Sequence, residues 1–310
     1  MNKYIIYGAG KKGRAYLQFL HEHQLDNLIY GFCDKRANEI NKIDQCSVLT
    51  IEEAKKTNLP FIVGVKKEYQ DEVIKVLETA GLEYYEKLED ILVDELHLMD
   101  RVTFERDFCA VSHVDSMEEY FSNAELPDRL NVFWGDGVFK ESFNKLELDA
   151  VVEIACGRGR HVQHYYDEAG RIVLVDILEK NIDYCKDRFR ELEKISYVVN
   201  SGYDLSDLED ESYSAVFSYD AMVHFELLDI ASYLKETYRI LKHGGKALFH
   251  HSNNYSDYKA SYADAIASRS FMSDRIFAYL AYRAGFEVLE QHLVDWEVPK
   301  LDCLTLLLKK

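Results

Sequence analysis

The segment that most constrains the fold is residues 150–176, which read AVVEIACGRGRHVQHYYDEAGRIVLVD. An apolar run leads into a turn with Gly157 and Gly159, a helix-like stretch follows, and a second apolar run ends at Asp176. Glycine lets a backbone approach a ligand without a Cβ clash. In an open parallel sheet, this order places a nucleotide-like ligand at the carboxyl edge of the first strand. Two glycines alone are equally compatible with an ordinary turn.

The segment resembles motif I of class I S-adenosylmethionine-dependent methyltransferases, in which an acid and a small residue precede Gly-x-Gly. The resemblance implies that the methionine half of the cofactor contacts this turn and that the acid after the second strand binds the ribose. The residues implied for the methionine half are Glu153, Ala155, Gly157 and Gly159, and those for the ribose are Asp176 with the adjacent Ile177.

Two later loops complete the cofactor site that the resemblance implies. The loop after the predicted third strand would contact the adenine, and the segment closing the fourth strand would border the cofactor. Their residues are Gly202, Tyr203, Asp204, Ser218, Tyr219 and Met222. An acidic loop with glycine is also typical of an ordinary turn. Residues 241–249, LKHGGKALF, resemble the family's LKPGG signature before the fifth strand, with His243 in place of proline.

Histidines close the predicted fourth and fifth strands. A hydroxyl acceptor must lose its proton as it attacks a methyl group, and histidine has a suitable pKa for a general base. We predict His224 or His251 as that base, with His250 as a further catalytic candidate. His250 and His251 should point to opposite faces of their strand. Structural roles, or a metal site shared with Asp220, are the alternatives; no metal is predicted.

Polar side chains after the fifth strand are the candidate acceptor site. Asn253 and Asn254 would orient a polyhydroxylated molecule, and Arg269 would bind a phosphate or carboxylate on it. The expected partner is a small-molecule acceptor, most plausibly a sugar or surface-glycan precursor.

The first 95 residues carry a second glycine turn. Gly8, Gly10 and Gly13 form GxGxxG after an apolar run, and Asp34 ends the next apolar run, 21 residues after Gly13. This is the dinucleotide-binding fingerprint in its expected context, so it predicts an NAD or nucleotide-sugar site. The alternative is a scaffold that keeps the glycines only for packing. The segment resembles small Rossmann-like domains attached to sugar-modifying enzymes of bacterial surface-polysaccharide pathways.

The whole chain is predicted to be α/β, with two Rossmann-like domains, the second a seven-stranded class I methyltransferase sheet. The predicted domains are 1–95, a small Rossmann-like domain; 96–130, a helical connector; and 131–310, the methyltransferase domain. The formal net charge of −18 argues against a nucleic-acid partner. No apolar run approaches membrane-spanning length. Six scattered cysteines indicate reduced thiols in a cytoplasmic protein.

The leading functional hypothesis is an S-adenosylmethionine-dependent O-methyltransferase. One alternative is an NAD-dependent sugar-modifying enzyme fused to a methyltransferase. The other is a non-catalytic nucleotide-sensing protein, against which the intact Glu153, Gly157, Gly159 and Asp176 argue.

Overall fold

The computed structural model describes residues 3–114 and 117–310, without the side chains of residues 113, 114 and 117–119. The chain divides into two compact units, residues 1–116 and residues 117–310. The division therefore lies inside the segment 96–130 that the sequence assigns to a connector. Within the described ranges, no helix combines the length and the apolar character needed to cross a membrane.

The first unit is built on a six-stranded mixed sheet. Its strands and helices are β1 (Tyr4–Tyr7), α1 (Lys11–Glu22), β2 (Ile29–Cys33), β3 (Lys42–Ile43), β4 (Cys46–Leu49), α2 (Ile51–Lys55), β5 (Phe61–Val63), α3 (Lys67–Thr79), β6 (Tyr84–Tyr85) and α4 (Arg101–Val114). The strand order is β3-β4-β2-β1-β5-β6, and only the β3–β4 pair is antiparallel. Every residue of β1 is buried, as expected for a central parallel strand covered on both faces.

The second unit contains three helices followed by a seven-stranded sheet. Its elements are α5 (Met117–Ala124), α6 (Pro127–Trp134), α7 (Val138–Phe143), β7 (Ala150–Ile154), β8 (Arg171–Asp176), α8 (Glu179–Arg188), β9 (Ile195–Val199), β10 (Tyr213–Ser218), α9 (Leu227–Ile240), β11 (Leu241–Ser252), α10 (Asp274–Ala284), β12 (Phe286–Trp296) and β13 (Val298–Lys309). The order is β12-β13-β11-β10-β7-β8-β9. This arrangement confirms the predicted seven-stranded methyltransferase sheet.

Parallel pairing brings the carboxyl ends of five strands of the second unit to one edge. β7 to β11 are mutually parallel, whereas β13 is antiparallel to both β11 and β12. Strand β7 is buried at all five positions. Because apolar side chains fill both faces of the sheet, a residue at the end of a strand can point toward the edge or into either core.

Local signals fix the helix that follows the fifth parallel strand. The hydroxyl of Ser273 accepts a hydrogen bond from the N–H of Ile276 at 3.1 Å and caps α10. Gly285 ends the helix with φ +111°, a conformation that glycine adopts at little cost. The cap also sets where the segment 253–272 between β11 and α10 ends.

The glycine turn of the first unit depends on close packing at one position. A Cβ on Gly13 would lie 2.0 Å from the carbonyl oxygen of Gly8, so α1 could not pack as it does. A Cβ on Gly10 would meet nothing within 4 Å.

We expect Gly13→Ala to lower the free energy of unfolding of the protein by about 1–3 kcal/mol, because the backbone must shift to admit the methyl group. Gly10→Ala is the matched control and should change it by less than about 0.5 kcal/mol. Chemical denaturation of the full chain measures both. Equal effects at the two positions would contradict the packing role of Gly13.

Candidate cofactor and active site

The turn after β7 passes through three residues in the left-handed backbone conformation. Ala155 and Gly157 both have φ +54°, and Gly159 has φ +73°. An alanine in this conformation costs about 1–2 kcal/mol. A Cβ on Gly159 would also lie 2.5 Å from the ring of Phe189. The turn is therefore strained at Ala155 and needs glycine at position 159 for both space and conformation.

The carboxylate of Asp176 holds this turn. Its Oδ2 accepts a hydrogen bond from the N–H of Gly157 at 2.9 Å. Its Oδ1 accepts from the N–H of Leu178 at 2.9 Å and from Asn181 at 3.0 Å. A carboxylate has about four acceptor positions, so one is left for a ribose hydroxyl. Burial raises the pKa of Asp176, and the three donors oppose that shift.

Two buried polar atoms support a ligand at the same edge. Within the described part of the chain, the hydroxyl of Ser218 and the Oδ1 atom of Asn181 have no hydrogen-bond partner. Such an atom costs about 1–3 kcal/mol when nothing satisfies it. Ser218 closes β10, next to β7 in the sheet, and Asn181 contacts Asp176. These positions, together with the glycine turn, fit the expected polar cofactor.

Glu153 lies beneath the turn, inside β7. It is buried and accepts a hydrogen bond from the hydroxyl of Tyr165 at 2.7 Å. Burial raises the pKa of Glu153 to about 7, although Tyr165 and Arg160 both favour its ionised form.

The predicted adenine loop differs in detail from the expectation. Gly202 turns the chain with φ +87°, and Tyr203 is exposed. The carboxylate of Asp204 accepts hydrogen bonds from Ser201 and from the N–H and hydroxyl of Ser206. Asp204 therefore stabilises its own loop, as an aspartate in a turn commonly does.

Tyr219 and Met222 lie deeper than predicted. The hydroxyl of Tyr219 donates to the carbonyl of Phe139 at 2.8 Å, and its ring stacks on Phe133. Met222 is fully buried in the core on the other face of the sheet. Both side chains pack inside the protein and stabilise the segment after β10. The half-buried Ile177 follows Asp176 at the edge of the sheet, as expected.

A buried ion pair links the glycine turn with the segment after β10, and the sequence analysis overlooked it. Nη2 of Arg160 donates to Oδ2 of Asp220 at 2.8 Å, and the side chains are 11% and 13% exposed. Asp220 has φ +55°, which is uncommon outside glycine. Burial alone would raise the pKa of Asp220, but Arg160, His250 and His224 together lower that pKa. The available signal was a charged residue directly after the glycine turn of β7 and another two residues after the end of β10.

His224 is half-buried at the same edge. Its Nδ1 lies 2.7 Å from the carbonyl oxygen of Ser268. Because a carbonyl only accepts, Nδ1 carries the proton and the lone pair of the neutral ring lies on Nε2. Ala267 and Ser268 have φ values of +47° and +54°, so this carbonyl belongs to a strained turn. A hydrogen bond from Ser270 N–H to the carbonyl of Val223, 3.1 Å long, holds the two segments together.

His250 and His251 point to opposite faces of β11, as predicted, and both are fully buried. Nδ1 of His250 accepts from the N–H of Asp220 at 3.2 Å, and Nε2 lies 3.1 Å from Asp302. The ring of His251 stacks on Phe277 at 3.8 Å, in the core.

Each buried histidine uses both ring nitrogens inside the protein. Nδ1 of His251 contacts the carbonyl of Ser252, and Nε2 contacts the hydroxyl of Thr305, each at 2.8 Å. Burial lowers the pKa of His251 to about 3. Neither His250 nor His251 is therefore placed to take a proton from an acceptor, which corrects the choice of His251 as a base.

The predicted acceptor residues are engaged within the protein. Arg269 is buried and donates to both carboxylate oxygens of Asp302, at 2.9 and 2.7 Å. Asn253 donates to the carbonyl of Lys300 and accepts from the N–H of Asp274. Asn254 donates to the carbonyl of Arg269 at 3.1 Å. These contacts fold the segment 253–272, so none of the three side chains is presented to a ligand.

The glycine turn of the first unit is held in the same way as the turn after β7. The N–H of Ala9 donates to Oδ2 of Asp34 at 2.7 Å. Oδ1 of Asp34 accepts from the backbone and side chain of Arg36. Burial alone would raise the pKa of Asp34, but these donors lower it. Across the described residues, histidine, cysteine, aspartate and glutamate side chains form no group of three that could hold a metal ion.

Replacing His251 by glutamine should flatten the pH dependence of stability. The pKa of His251 is about 3 in the folded protein, and an unfolded histidine titrates near about 6.5. Below that pH the unfolded chain binds a proton that the folded chain excludes. The free energy of unfolding therefore falls with decreasing pH, by at most about 1.4 kcal/mol per pH unit. Denaturation at pH 7.5, 6 and 5 should show the wild-type advantage over the variant shrinking; a constant difference would contradict a neutral buried histidine.

Part of the second unit is similar to known proteins. Residues 152–249 match the family described as "Methyltransferase domain". A search of curated protein sequences found no match. A structure of a SAM-dependent methyltransferase from Aquifex aeolicus is 15% identical, with a TM-score of 0.48, over 62% of this chain and 98% of that one. One from Methanosarcina mazei is also 15% identical, with a TM-score of 0.47, over 56% and 98% of the two chains. Similarities at this level carry no inference about the acceptor.

The matched residues begin in β7, include the glycine turn and Asp176, and end in β11. They thus contain the whole edge at which the strained turn, the acid and the unsatisfied Ser218 hydroxyl meet. Residues 152–249 therefore match a methyltransferase domain, and the seven-stranded sheet has the strand order of the class I methyltransferase fold; both support S-adenosylmethionine-dependent methyl transfer.

Proposed function

We propose that this protein transfers the methyl group to a hydroxyl oxygen of a small polar acceptor, with a sugar or surface-glycan precursor as the leading class. The observation that carries the proposal is the position of His224. Its ring stands at the carboxyl edge of the sheet, on the segment after β10, with its tautomer set by the carbonyl of Ser268.

The chain has to align the reactants and remove one proton. S-adenosylmethionine, when bound, supplies a methyl group activated by its sulfonium. Asp176 and the glycine turn would hold the cofactor, and His224 would accept the acceptor's hydroxyl proton on Nε2. Holding two reactants in attack geometry supplies up to about 7–11 kcal/mol of the barrier. A positioned base adds roughly 10²–10⁴-fold to the rate.

Tyrosines on the segment 253–272, which contacts His224 through Ser268 and Tyr262, support a polyhydroxylated acceptor. Tyr255 and Tyr258 are 64% and 73% exposed on the segment 253–272. Tyr262, on the same segment, packs edge-on against the ring of His224, with centroids 5.6 Å apart. A tyrosine offers an apolar face and a polar hydroxyl together, which suits the apolar faces and hydroxyl rims of sugar rings. We propose that these tyrosines recognise the acceptor, in place of Asn253, Asn254 and Arg269.

We also propose that the protein works in the cytoplasm. The six cysteines form no disulfide bond within the described residues, a pattern typical of reducing compartments.

Two substitutions should separate cofactor binding from methyl transfer. Asp176→Ala removes the predicted ribose acceptor and the support of the Gly157 N–H, so S-adenosylmethionine binding measured by calorimetry should weaken about tenfold or more. His224→Gln should leave that affinity within about threefold and lower kcat roughly 10²–10⁴-fold. Methyl transfer to a panel of monosaccharides and nucleotide-sugars, against phenolic and carboxylate acceptors, measures kcat and identifies the acceptor class.

Leu228→Ala is a suitable control, because Leu228 is 59% exposed and makes no side-chain contact used in this proposal. Full turnover by His224→Gln would remove the base assignment while leaving the cofactor site intact. Activity confined to phenols or carboxylates would exclude the sugar class.

For the first unit we propose a nucleotide or nucleotide-sugar site at its own glycine turn. Three observations support it: the turn is held by Asp34, Gly8 has φ +115°, and the space beside the Cα of Gly10 is open. Open space at the second glycine of this fingerprint is what a closely approaching pyrophosphate requires.

Gly10→Val should therefore block a nucleotide without disturbing the fold. We expect NAD or UDP-glucose to bind the full wild-type chain with calorimetrically measurable heat, and the variant to lose at least about tenfold in affinity, because the side chain occupies the approach path. As a control, the free energy of unfolding of the variant should equal that of the wild type. Absence of binding by the wild type would favour the scaffold alternative.

A further inference from the structure

Three lysines lie at the carboxyl edge of the sheet in the first unit. Lys66 and Lys67 follow β5, and Lys11 directly follows Gly10 in the glycine turn after β1. All three side chains are exposed. Among the described residues, none of the three ammonium groups has a hydrogen-bond or ion-pair partner. Three unpaired cations therefore lie at one edge of a unit whose chain has a formal net charge of −18.

The two loops that carry these lysines are in contact. A Cβ on Gly8 would lie 2.6 Å from Cγ1 of Val65, which directly precedes Lys66. The N–H of Gly64 donates to the carbonyl of Tyr7 at 2.9 Å. The chain leaves β1 for β2 on one side and returns to β5 on the other side of β1. In an open parallel sheet, the crevice at such a reversal of strand order is where a ligand binds.

Two helices begin at this crevice without a side-chain cap. The N-cap residue of α1 is Gly10 and that of α3 is Lys66, and neither side chain accepts a hydrogen bond. The first turn of a helix leaves backbone N–H groups without partners inside the helix, and these groups attract anions. The first turn of α1 contains no acidic residue, and that of α3 contains only Glu68. The lysines therefore add to the positive ends of two helix dipoles.

A buried amide on α3 adds a donor to the same region. Within the described residues, Nε2 of Gln70 is buried and has no hydrogen-bond partner. Gln70 lies three residues before Val73, which packs in the core of the first unit, so the two side chains share one face of α3. Because an amide nitrogen only donates, it suits an acceptor oxygen and not a cation.

The cations on the opposite side of the glycine turn, after β2, are occupied. Lys35 pairs with Glu72, and Nε of Arg36 lies 3.2 Å from Oδ1 of Asp34. These two positive charges are therefore neutralised within the unit. An anion of the ligand is expected on the side of β5, where the lysines have no partner, and not beside the ribose.

These charges indicate what kind of nucleotide the first unit binds. Asp34, after β2, is the expected contact of the ribose, so the far end of the ligand extends over β5. We propose, on the basis of the nucleotide site proposed above, that the ligand is a nucleotide whose far end, beyond the diphosphate, carries a negative charge. A terminal phosphate or the carboxylate of an acidic nucleotide-sugar has this chemistry. NAD does not, because its oxidised nicotinamide ring is positively charged.

Pairs of nucleotides that differ in one anionic group test the proposal on the full chain. UDP-glucuronate has a carboxylate where UDP-glucose has a hydroxymethyl group, and ATP has a terminal phosphate that ADP lacks. In calorimetry at low ionic strength, we expect the more anionic member of at least one pair to bind roughly 3- to 30-fold more tightly than the other. The pair that shows the preference identifies the anion as a carboxylate or a phosphate. NAD should bind more weakly than the preferred ligand.

Two double variants with the same change of net charge locate the preference. Lys66→Gln with Lys67→Gln removes the cations after β5 and should reduce the preference to less than about twofold, while the less anionic nucleotide of the pair loses less than about threefold in affinity. Lys55→Gln with Lys56→Gln is the matched control, because these lysines end α2, away from the carboxyl edge. The control should keep the preference.

The inference is overturned if the wild type binds both members of each pair equally, or if NAD binds more tightly than the anionic nucleotides. It is also overturned if the variant at Lys66 and Lys67 keeps the preference, or if the control loses it to the same extent. In all of these cases nucleotide binding leaves the proposed site standing. A wild type that binds none of the nucleotides removes the proposed site and this inference with it.

Discussion

The structure depends on a carboxylate at the end of one strand that binds the glycine turn after the neighbouring, preceding strand. Asp176 accepts a hydrogen bond from the N–H of Gly157 at 2.9 Å, and Asp34 accepts one from the N–H of Ala9 at 2.7 Å. A left-handed turn points backbone N–H groups away from the sheet ladder, and an unpaired buried N–H is costly. The acid satisfies that donor and fixes the spacing of the two strand ends. The two units use the same device in different surroundings, since donors lower the pKa of Asp34 whereas burial raises that of Asp176.

A network of charged and polar side chains lies beneath the carboxyl edge of the sheet in the second unit. It runs from Arg160 through Asp220 and His250 to Asp302 and Arg269. Each buried charge has an opposite charge or a hydrogen bond beside it, which is the condition for keeping it buried. This network connects the glycine turn to the segment after β10, to the end of β11 and to the strand β13. Rigid support of this kind keeps a reaction site in register without touching the reactants.

The three histidines near this edge differ in their surroundings. His250 and His251 are adjacent in a strand, so the pleat sends one ring toward Asp220 and Asp302 and the other onto Phe277. Both rings have each nitrogen engaged inside the protein. His224 follows a strand and lies half-buried on a short turn, with its orientation set by a backbone carbonyl. Position relative to the end of a strand, and not residue type, thus separates a candidate base from two structural groups.

Residue order was enough to predict the architecture of the second unit. Apolar runs, the turn glycines and the acid after β8 fix a parallel sheet and its ligand-binding edge, because backbone conformation and strand burial are local properties that residue order encodes. The roles of the polar side chains, in contrast, depend on contacts between elements that are far apart in the chain. Arg269 and Asn254 looked available for an acceptor, yet Asp302, which is 33 residues from Arg269, occupies the guanidinium. Arg160 and Asp220, 60 residues apart, form an ion pair for the same reason. Packing between neighbouring strands determines which group pairs with a buried charge, so the spacing of residues along the chain does not predict the pair.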